Sequence, residues 1–454
     1  MTARLHRSSA IDLLALHRHH PQRYPFLLES RAQDIKTGRY DLLLAFPQEH
    51  LQLRNGLLQG RGSASILDSD FFAALDHWAA QLPSVAAQTD VPFCGGWFLL
   101  LGYEAVAGIE PSLVLPASPH PLPDALAVRC PAAIIRDHRD DSCVLVAETP
   151  ELLQALQSDC DHLRSQDRQP TATPAAPMIN AEVIESDSEH FLAGVRRILE
   201  YLRAGDIFQA NLSRAWQGRL PAGTGYLELY RRLCRSNPAP FAGLACWQGS
   251  AVLSSSPERL LSIDNGVAQT RPIAGTHGRM INAAADLQQQ KRLIADLKER
   301  AEHLMLIDLE RNDLGRICVP GSVEADELMV IESYRHVHHI VSNVRGRLRA
   351  GVGPGTALRA VFPGGTITGC PKVRAMQIIA ELEGEGRGPY TGAMGYLSRC
   401  GRLDTNILIR TVICDGRRFT LRAGAGIVAD SDPQTELAET RAKARGMLLA
   451  LQRV

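Results

Sequence analysis

The feature that most constrains the fold is a run of three apolar stretches near the carboxyl end of the chain. They are "GAMGYLSRC" (392–400), "NILIRTVICD" (406–415) and "FTLRAGAGIVAD" (419–430), and each has the composition of a β-strand. Only a few residues separate one stretch from the next. Connections this short are typical of antiparallel hairpins, because parallel strands need a long crossover. The chain is therefore predicted to be an α+β protein with antiparallel pairing.

Helical periodicity alternates with further strand patterns over the rest of the 454 residues. Helices are predicted over 68–82, 187–204, 284–312, 370–383 and 432–452. Additional strands are predicted over 40–46, 95–103, 142–148 and 249–263. One stretch rich in proline, alanine and threonine, "RSQDRQPTATPAAPMIN" (164–180), has the composition of a linker or excursion between two halves of the chain.

The charge balance and the cysteine pattern exclude several functional classes. Lys plus Arg and Asp plus Glu number 49 each, so no basic surface for nucleic acid or lipid is predicted. No apolar run approaches the length of about 18 residues that a membrane span requires, and no secretory segment opens the chain. The ten cysteines include no CxxC pair, which argues against a thiolate metal site and suits a reducing cytoplasm. We expect a cytoplasmic protein without nucleic-acid or membrane partners.

Two pairs of glutamates are spaced three residues apart within predicted helices. Glu299 and Glu302 form one pair, and Glu436 and Glu439 form the other, with Lys443 one turn further along the same face. Carboxylates in this arrangement can bind Mg²⁺, but the same spacing is common on helix faces that contact only water. The spacing leaves both interpretations open.

Polar residues at strand ends provide further candidates. Gln209 and Asn211 alternate with apolar neighbours, so they share one face of a strand, either the inner or the outer face. Glu258 stands at the mouth of a strand, where it is a general acid if buried and an ordinary turn carboxylate if exposed. Arg410 lies between apolar residues, which suits a carboxylate clamp or a sheet edge. The glycine-rich stretch 422–430 could bring backbone amides close to an anion.

Taken together, these motifs resemble those of the chorismate-utilising enzymes, which include anthranilate synthase component I, aminodeoxychorismate synthase component I, and the isochorismate and salicylate synthases. The motifs run in family order over 205–446: "GDIFQANLS", "SSSPER", "RPIAGT", "AEHLMLIDLERNDLG", "HVHHIVS", "FPGGTITGCPKVRAMQII", "GPYTGAMGY", "LDTNILIRT" and "AGAGIVADSDPQTELAETRAKA". The resemblance implies two large antiparallel β-sheets packed face to face, with helices outside and the site between them. It also implies an N-terminal region (1–165), a linker (166–184) and a catalytic region (185–454), packed as one unit.

The resemblance implies that Mg²⁺ is the cofactor and that it holds the ring carboxylate of chorismate. Its ligands would be Glu302 and Glu439. Glu299 and Glu436 would support the ion through water molecules. For the two glutamate pairs, the resemblance therefore favours a metal site over a helix face that contacts only water.

Further roles follow from the same resemblance. Glu258 would be the general acid that protonates the departing C4 hydroxyl, and His339 would line the ring. Gln209 stands where the water-using relatives have a lysine base, so the nucleophile would be ammonia supplied by a separate glutamine amidotransferase subunit. Residues expected to hold the two carboxylates of chorismate are Ala274, Gly275 and Thr276 in one loop, together with Tyr390, Arg410, Gly424, Ala425, Gly426 and Lys443.

Position 274 discriminates between two members of the family. The PIAGT form of this loop resembles anthranilate synthases, whereas aminodeoxychorismate synthases usually have PIKGT, whose lysine attacks chorismate. Ala274 offers no such nucleophile. Seven other markers resemble the aminodeoxychorismate type, among them Asn211, Arg259, Glu310 and Asn406. We therefore predict amination of chorismate to 4-amino-4-deoxychorismate without a lysine, through 2-amino-2-deoxyisochorismate. The alternatives are anthranilate synthesis and a catalytically silent subunit that binds an amidotransferase.

A second ligand site is implied near the start of the chain. Ser30 and Tyr40, with Pro240 and Phe241, stand where relatives hold tryptophan. The alternative is an empty apolar packing site.

Overall fold

The computed structural model describes residues 4–31, 38–61, 70–83, 85, 91–167, 179–280, 282–333 and 337–452. In chain order its strands are β1 (Arg4–Ser9), β2 (Phe26–Glu29), β3 (Tyr40–Ala45), β4 (His50–Arg54), β5 (Leu57–Arg61), β6 (Gly96–Leu101), β7 (Ala125–Cys130), β8 (Ala132–Asp137), β9 (Ser142–Ala147), β10 (Glu182–Glu185), β11 (Gln209–Arg219), β12 (Phe241–Trp247), β13 (Ser250–Ser256), β14 (Arg259–Asp264), β15 (Val267–Arg271), β16 (Ile273–Gly278), β17 (Glu324–Ser333), β18 (Val337–Arg347), β19 (Gly369–Cys370), β20 (Ala393–Ser398), β21 (Leu403–Ile407), β22 (Thr411–Asp415) and β23 (Arg418–Ile427).

The α-helices of the described ranges are α1 (Leu13–His19), α2 (Phe71–Gln81), α3 (Pro150–Asp167), α4 (Ser188–Ala204), α5 (Tyr226–Ser236), α6 (Ala283–Ala295), α7 (Leu297–Gly315), α8 (Pro354–Val361), α9 (Lys372–Glu383) and α10 (Pro433–Leu451). Short 3-10 helices cover Tyr103–Gly108 and Gly365–Ile367. None of the helices in these ranges is both long and apolar enough to cross a membrane.

The strands form two large antiparallel sheets. The first has the order β1-β9-β8-β3-β2-β12-β13-β22-β23-β11-β10, and β19 also pairs with β11. The second has the order β16-β18-β15-β14-β21-β20-β6-β7-β4-β5, and β17 also pairs with β18. The predicted α+β fold is therefore confirmed. Strands from before and after the predicted linker share both sheets, since β2 pairs with β12 and β6 pairs with β20. Within that linker, 168–178 lies outside the described residues, and Glu182–Glu185 forms β10.

The inner faces of the two sheets pack against each other through one apolar cluster. Phe26 of the first sheet stacks on Phe98 of the second, with ring centroids 3.8 Å apart. Val252 and Met394 belong to the same buried cluster. Burial of each such side chain stabilises the fold by about 1.5–3 kcal/mol, so this layer holds the sheets face to face.

Helices cover the outer faces. Helices α1, α3, α5 and α10 share a buried cluster with strands of the first sheet, and α2, α7 and α8 share another with strands of the second. Helix α10 begins as its sequence predicts, because the Asp432 carboxylate accepts a hydrogen bond from the N–H of Thr435 and Pro433 occupies the first turn.

The single helix predicted over 284–312 is wrong. The chain is extended at Asp296, whose carboxylate accepts hydrogen bonds from the N–H groups of Lys298 and Glu299. Asp296 therefore ends α6 and caps α7, which places Glu299 in the first turn of a new helix.

Two of the predicted strands are each divided between the sheets. The stretch 249–263 forms β13 in the first sheet and β14 in the second. The stretch 406–415 forms β21 in the second sheet and β22 in the first. Strand-like apolar residues lie close on both sides of each crossing, and the sequence does not show that they belong to different sheets.

Candidate active site

Each of these two crossings carries a charged side chain. Glu258 lies between β13 and β14, and Arg410 lies between β21 and β22 rather than within a strand as predicted. The Ser256 hydroxyl donates a hydrogen bond to the carbonyl of Ile407 over 2.5 Å, and the N–H of Ile407 donates to the carbonyl of Glu258 over 3.0 Å. Arg410 has a φ of 53°, a left-handed conformation that is costly for a residue other than glycine. The crossings are thus tied together and bring the Glu258 carboxyl group close to the Arg410 guanidinium.

Glu258 is buried, with 5% of its surface exposed, so its interpretation as an exposed turn carboxylate is wrong. Burial raises the pKa of Glu258 to about 8. The carboxylate of Glu310 acts in the same direction, whereas the backbone of Ile273 and the charge of Arg410 lower the pKa. The carboxyl group is therefore protonated at neutral pH, as a general acid must be.

The loop that contains Ala274 forms a bulge at the edge of the second sheet. Ala274 and Thr276 both pair with β18, but the register shifts between them and leaves Gly275 at a φ of 62°. A Cβ at position 275 would lie 3.0 Å from a carboxylate oxygen of Glu299, and together with the left-handed φ this contact favours glycine there. Ala274 is buried, and the side chain of Thr276 lies outside the described residues.

His339 lies on the strand that pairs with this loop. Its Nδ1 lies 3.3 Å from the carbonyl oxygen of Gly275, to which it donates a hydrogen bond as Nδ1–H. Burial lowers the pKa of His339 to about 4, and the nearby charges of Arg410 and Lys443 lower it further. The imidazole is therefore neutral at physiological pH and offers a flat, uncharged surface.

Two glycines of β23 make room for three polar side chains. A Cβ at Gly424 would lie 2.6 Å from Oδ1 of Asn211 and 3.1 Å from the hydroxyl of Tyr390. A Cβ at Gly426 would lie 2.6 Å from Nε2 of Gln209. No larger residue fits at either position without displacing these groups.

The amides of β11 and the residue between the two glycines lie on opposite faces of the sheet. Gln209 donates a hydrogen bond through Nε2 to Glu302 over 2.7 Å, so the amides of β11 lie on its inner face. The Oδ1 of Asn211 is buried and accepts no hydrogen bond. Ala425 packs in the apolar cluster that joins β23 to α4 and α9, which leaves only its backbone for a ligand.

The two glutamate pairs lie near each other on α7 and α10. Burial raises the pKa of Glu302, and the charges of Glu299 and Glu439 raise it further. Burial also raises the pKa of Glu436, again with a contribution from Glu439. Lys443 forms an ion pair with Glu439. The tertiary structure therefore brings two carboxylates of α7 and two of α10 close enough to interact electrostatically.

These carboxylates suit a hard cation. One oxygen of Glu436 is buried without a hydrogen-bond partner, and the mutual repulsion of the carboxylates would be relieved by positive charge. Oxygen donors of this kind are the ligands that Mg²⁺ prefers. In the described ranges, no group of three or more His, Cys, Asp or Glu side chains is arranged as a finished metal centre. The residues fit Mg²⁺ in charge and chemistry.

A cavity of about 390 Å³ adjoins this region. His339, Arg410 and Lys443 contribute to its wall, with Arg445 and the segment 236–239 that follows α5. Its described lining contains cationic side chains and no carboxylate, which suits an anionic ligand. The glycine pair of β23 and the four glutamates do not line it.

A buried ion network beside Tyr390 was missed by sequence reasoning. Arg387 donates to one oxygen of Glu383 over 2.6 Å, and Arg422 donates to the other over 3.0 Å. Burial by itself would raise the pKa of Glu383, but these two arginines lower it. The guanidinium of Arg387 lies 5.7 Å from the centre of the Tyr390 ring. A usable signal was present, since Glu383 and Arg387 are four residues apart just before Tyr390.

Comparison with known proteins identifies the family. The model of the chorismate binding enzymes matches residues 24–449. The chain belongs to the chorismate-binding enzymes. It is 37% identical to aminodeoxychorismate synthase component 1 of Salmonella typhimurium, over 94% of this chain and 93% of that one. It is 42% identical to an anthranilate synthase component I-like protein of Synechocystis, over 80% of this chain and 74% of that one.

A solved structure agrees with this assignment. Anthranilate synthase component I from Streptococcus pneumoniae superimposes with a TM-score of 0.79 at 32% identity, over 91% of this chain and 93% of that one. The family establishes that this enzyme acts on chorismate. Its relatives include anthranilate synthases and aminodeoxychorismate synthases.

This chorismate-binding enzyme has a second cavity, of about 100 Å³, between its sheets. Ser30, Tyr40, Pro240 and Phe241, predicted from separate parts of the sequence, all line it. The hydroxyl of Ser30 is buried without a hydrogen-bond partner. The four residues are therefore together, and tryptophan as their ligand stays a prediction.

Proposed function

We propose that this enzyme aminates chorismate to 4-amino-4-deoxychorismate, the precursor of 4-aminobenzoate and folate, as the synthase component of an aminodeoxychorismate synthase. The observation that carries the proposal is the environment of Glu258. Arg259 follows it and pairs with Asn406 across the β14–β21 ladder, and the charge of Glu310 helps to raise its pKa. These three residues resemble the aminodeoxychorismate type.

The environment of Glu258 matters because the two kinds of synthase differ in the reaction at C4 that follows loss of the hydroxyl. Both expel the C4 hydroxyl in the first step, as a new bond forms at C2. Only the aminodeoxychorismate route returns to C4 to form a second carbon–nitrogen bond. We therefore expect the difference in product to depend on the residues around Glu258, which protonates the leaving group at C4.

In the first proposed step, ammonia attacks C2 of chorismate. The N–C2 bond forms, the ring double bonds shift, and the C4–O bond breaks. The hydroxyl takes the proton of Glu258 and leaves as water, while the new ammonium group releases one proton. The pKa of about 8 keeps Glu258 protonated for this task at neutral pH. The product is 2-amino-2-deoxyisochorismate.

In the second proposed step, another ammonia attacks C4. The double bonds shift back, the C2–N bond breaks, and the C2 amine leaves as ammonia. The leaving amine takes up one proton, and the new ammonium group at C4 releases one. One ammonia is consumed overall and the other is regenerated. Ala274 is consistent with this route, because no amine of the protein stands at that position and free ammonia takes its place.

The remaining groups bind and orient the substrate. Arg410 and Lys443 in the cationic cavity wall would hold carboxylate, with Tyr390 and the backbone beside Gly424. Glu302 and Glu439, supported by Glu299 and Glu436, would hold Mg²⁺. The bound ion would supply positive charge to the ring carboxylate of chorismate.

Ammonia would come from a partner glutamine amidotransferase. The sequence lacks a cysteine in the setting of a glutaminase nucleophile, and a relative carries the name component 1. The proposal therefore predicts that glutamine supports the reaction only when such a subunit is added, whereas ammonium salt supports it alone.

The deciding experiment combines the purified chain with chorismate, Mg²⁺, an ammonium salt and a separate aminodeoxychorismate lyase. Formation of 4-aminobenzoate supports the proposal. Accumulation of anthranilate instead would assign the chain to the second candidate, anthranilate synthase, which Ala274 favours. Chorismate left unconsumed would point to a silent amidotransferase-binding subunit.

The side chain at position 274 can be tested separately. Ala274→Gly removes only a methyl group, which forms no bond with the substrate, so we expect the amination rate to change less than about twofold. A collapse of the rate would mean that this methyl group positions the substrate.

A further inference from the structure

Two cysteine thiols meet where β6 and β20 end. Gly96 and Ser398 are paired residues of these antiparallel strands, and Cys94 and Cys400 each lie two residues beyond that pair. The two thiols hydrogen-bond to each other. The Ser398 hydroxyl accepts a hydrogen bond from the N–H of Cys94 over 3.0 Å and lies 3.2 Å from Sγ of Cys400. The sulfurs are therefore neighbours in the folded chain although 306 positions, the difference between 400 and 94, separate them in the sequence.

The surroundings of Cys400 stabilise a thiolate. The hydrogen bond from Cys94 lowers the pKa of Cys400 most, and Ser398, the backbone N–H of Arg402 and the charge of Arg402 lower it further. Together they outweigh burial and bring the pKa to about 6. Cys400 is half-buried, so a small oxidant can reach it.

The other cysteines with resolved shifts behave in the opposite way. Burial raises the pKa of Cys130, Cys143, Cys160, Cys234, Cys246, Cys318, Cys370 and Cys414. Thiols in such settings are unreactive at neutral pH, because the thiolate is the nucleophile.

We propose that Cys94 and Cys400 form an oxidisable dithiol site, which hydrogen peroxide converts to an intramolecular disulfide. The Cys400 thiolate attacks one peroxide oxygen, the O–O bond breaks, and after protonation a sulfenic acid and one water are formed. The Cys94 thiol then attacks the sulfur of the sulfenic acid, and the S–O bond breaks as a second water leaves. Two thiols and one peroxide give one disulfide and two waters.

The backbone around the pair holds the two segments together. Arg399 donates from its N–H to the carbonyl of Gly95 over 2.9 Å, so the two segments remain side by side beyond the ladder. A disulfide needs Cα atoms about 4.4–6.8 Å apart, and the contacts of Ser398 with both cysteines keep these segments close. The bond would tie the start of β6 to the β20–β21 hairpin. That hairpin contributes Tyr396 and Asp404 to the 100 Å³ cavity.

The test treats the reduced full-length chain with hydrogen peroxide, blocks the remaining thiols, and maps peptides by mass spectrometry without reduction. A 94–400 cross-link that is absent before treatment supports the proposal. Peptides in which Cys400 is unlinked, or linked to a different cysteine, overturn it.

The rate of alkylation gives an independent measurement. Cys370 is the matched control, because it is also half-buried but has a raised pKa. We expect iodoacetamide to modify Cys400 at least about tenfold faster at neutral pH, and the rate at Cys400 to fall only about tenfold from pH 7 to pH 5. An ordinary thiol would lose about a hundredfold over that interval. Equal rates at the two cysteines would refute the thiolate.

Cys94→Ser separates the two steps. This variant cannot form the disulfide, so peroxide should leave Cys400 as a sulfenic acid that dimedone captures. Cys400→Ser should yield no captured product at Cys94, since only Cys400 is the attacking thiolate. Capture at Cys94 in that variant would contradict the assigned order.

Discussion

Replacing Glu258 with glutamine separates the proton that this residue carries from the space that it fills. Glutamine has nearly the shape of a protonated glutamic acid, but it cannot give up a proton. Because Glu258 is buried and protonated at neutral pH, we expect Glu258→Gln to fold normally. The rate of chorismate consumption should fall by about a hundredfold or more, as loss of a general acid does.

The same substitution has a predictable effect on stability. Folding raises the pKa of Glu258 from 4.5 to about 8, so its contribution to stability is fully present below pH 4.5 and is lost as the pH rises toward 8. A shift of about 3.5 units corresponds to about 5 kcal/mol in total. Between pH 5.5 and pH 7 the wild type should lose about 2 kcal/mol through this group. The glutamine variant should lose none of it.

For a chain of this length, about 2 kcal/mol corresponds to about 2 °C in melting temperature. The assay compares thermal melts of both proteins at the two pH values. We expect the melting temperature of Glu258→Gln to rise relative to that of the wild type between the lower and the higher pH. Glu258→Asp is the control, since it keeps a titrating carboxyl and should follow the wild type.

Two results would refute the reasoning. A difference in melting temperature that is the same at both pH values would mean that the carboxyl does not hold its proton in the folded chain. Undiminished turnover by Glu258→Gln would mean that another group protonates the leaving hydroxyl.

Three further predictions concern substrate, packing and metal. Gly424→Ala should raise the KM for chorismate at least about tenfold, because its Cβ would lie 2.8 Å from the backbone carbonyl of Leu212; unchanged steady-state kinetics would contradict this. Arg387→Met should destabilise the fold by about 3–5 kcal/mol, because it leaves Glu383 buried with one of its two arginines lost; an unaltered melting temperature would argue against the network. Glu436→Gln should raise the Mg²⁺ concentration needed for half-maximal activity by about tenfold, and a chelator should abolish activity in both proteins; a metal requirement equal to that of the wild type would exclude Glu436 from the ion's surroundings.

Local patterns predicted the secondary structure well wherever short-range interactions decide it. The start of α10 and the end of α4 lie within one residue of their predicted positions. Asp432 caps the first of these helices, and Gly205, which has a φ of 81°, ends the second. The break at Asp296 was not predicted. Its carboxylate caps a helix, but capping residues also occur as ordinary surface residues within a longer helical pattern.

Local sequence patterns did not predict the two crossings between the sheets. A buried strand in either sheet has the same apolar composition, so the sequence does not show that the chain changes sheets at Glu258 and Arg410. Burial of Glu258 depends on the neighbouring strand, whose Ile407 N–H donates to its carbonyl. The raised pKa is thus a property of the assembled sheets, although the residue itself was a candidate from the start.

The sequence by itself determined the inventory of the site: four glutamates, two amides on one face of a strand, a glycine-rich strand, and a loop at Ala274 with no nucleophile. Their order along the chain also identified the family. Only the tertiary structure decided that the carboxylates of α7 and α10 act on one another, and that Cys94 meets Cys400. The physical reason is that charge interactions and hydrogen bonds depend on distances of a few ångströms between side chains. For residues far apart in the sequence, those distances are set by the packing of the two sheets.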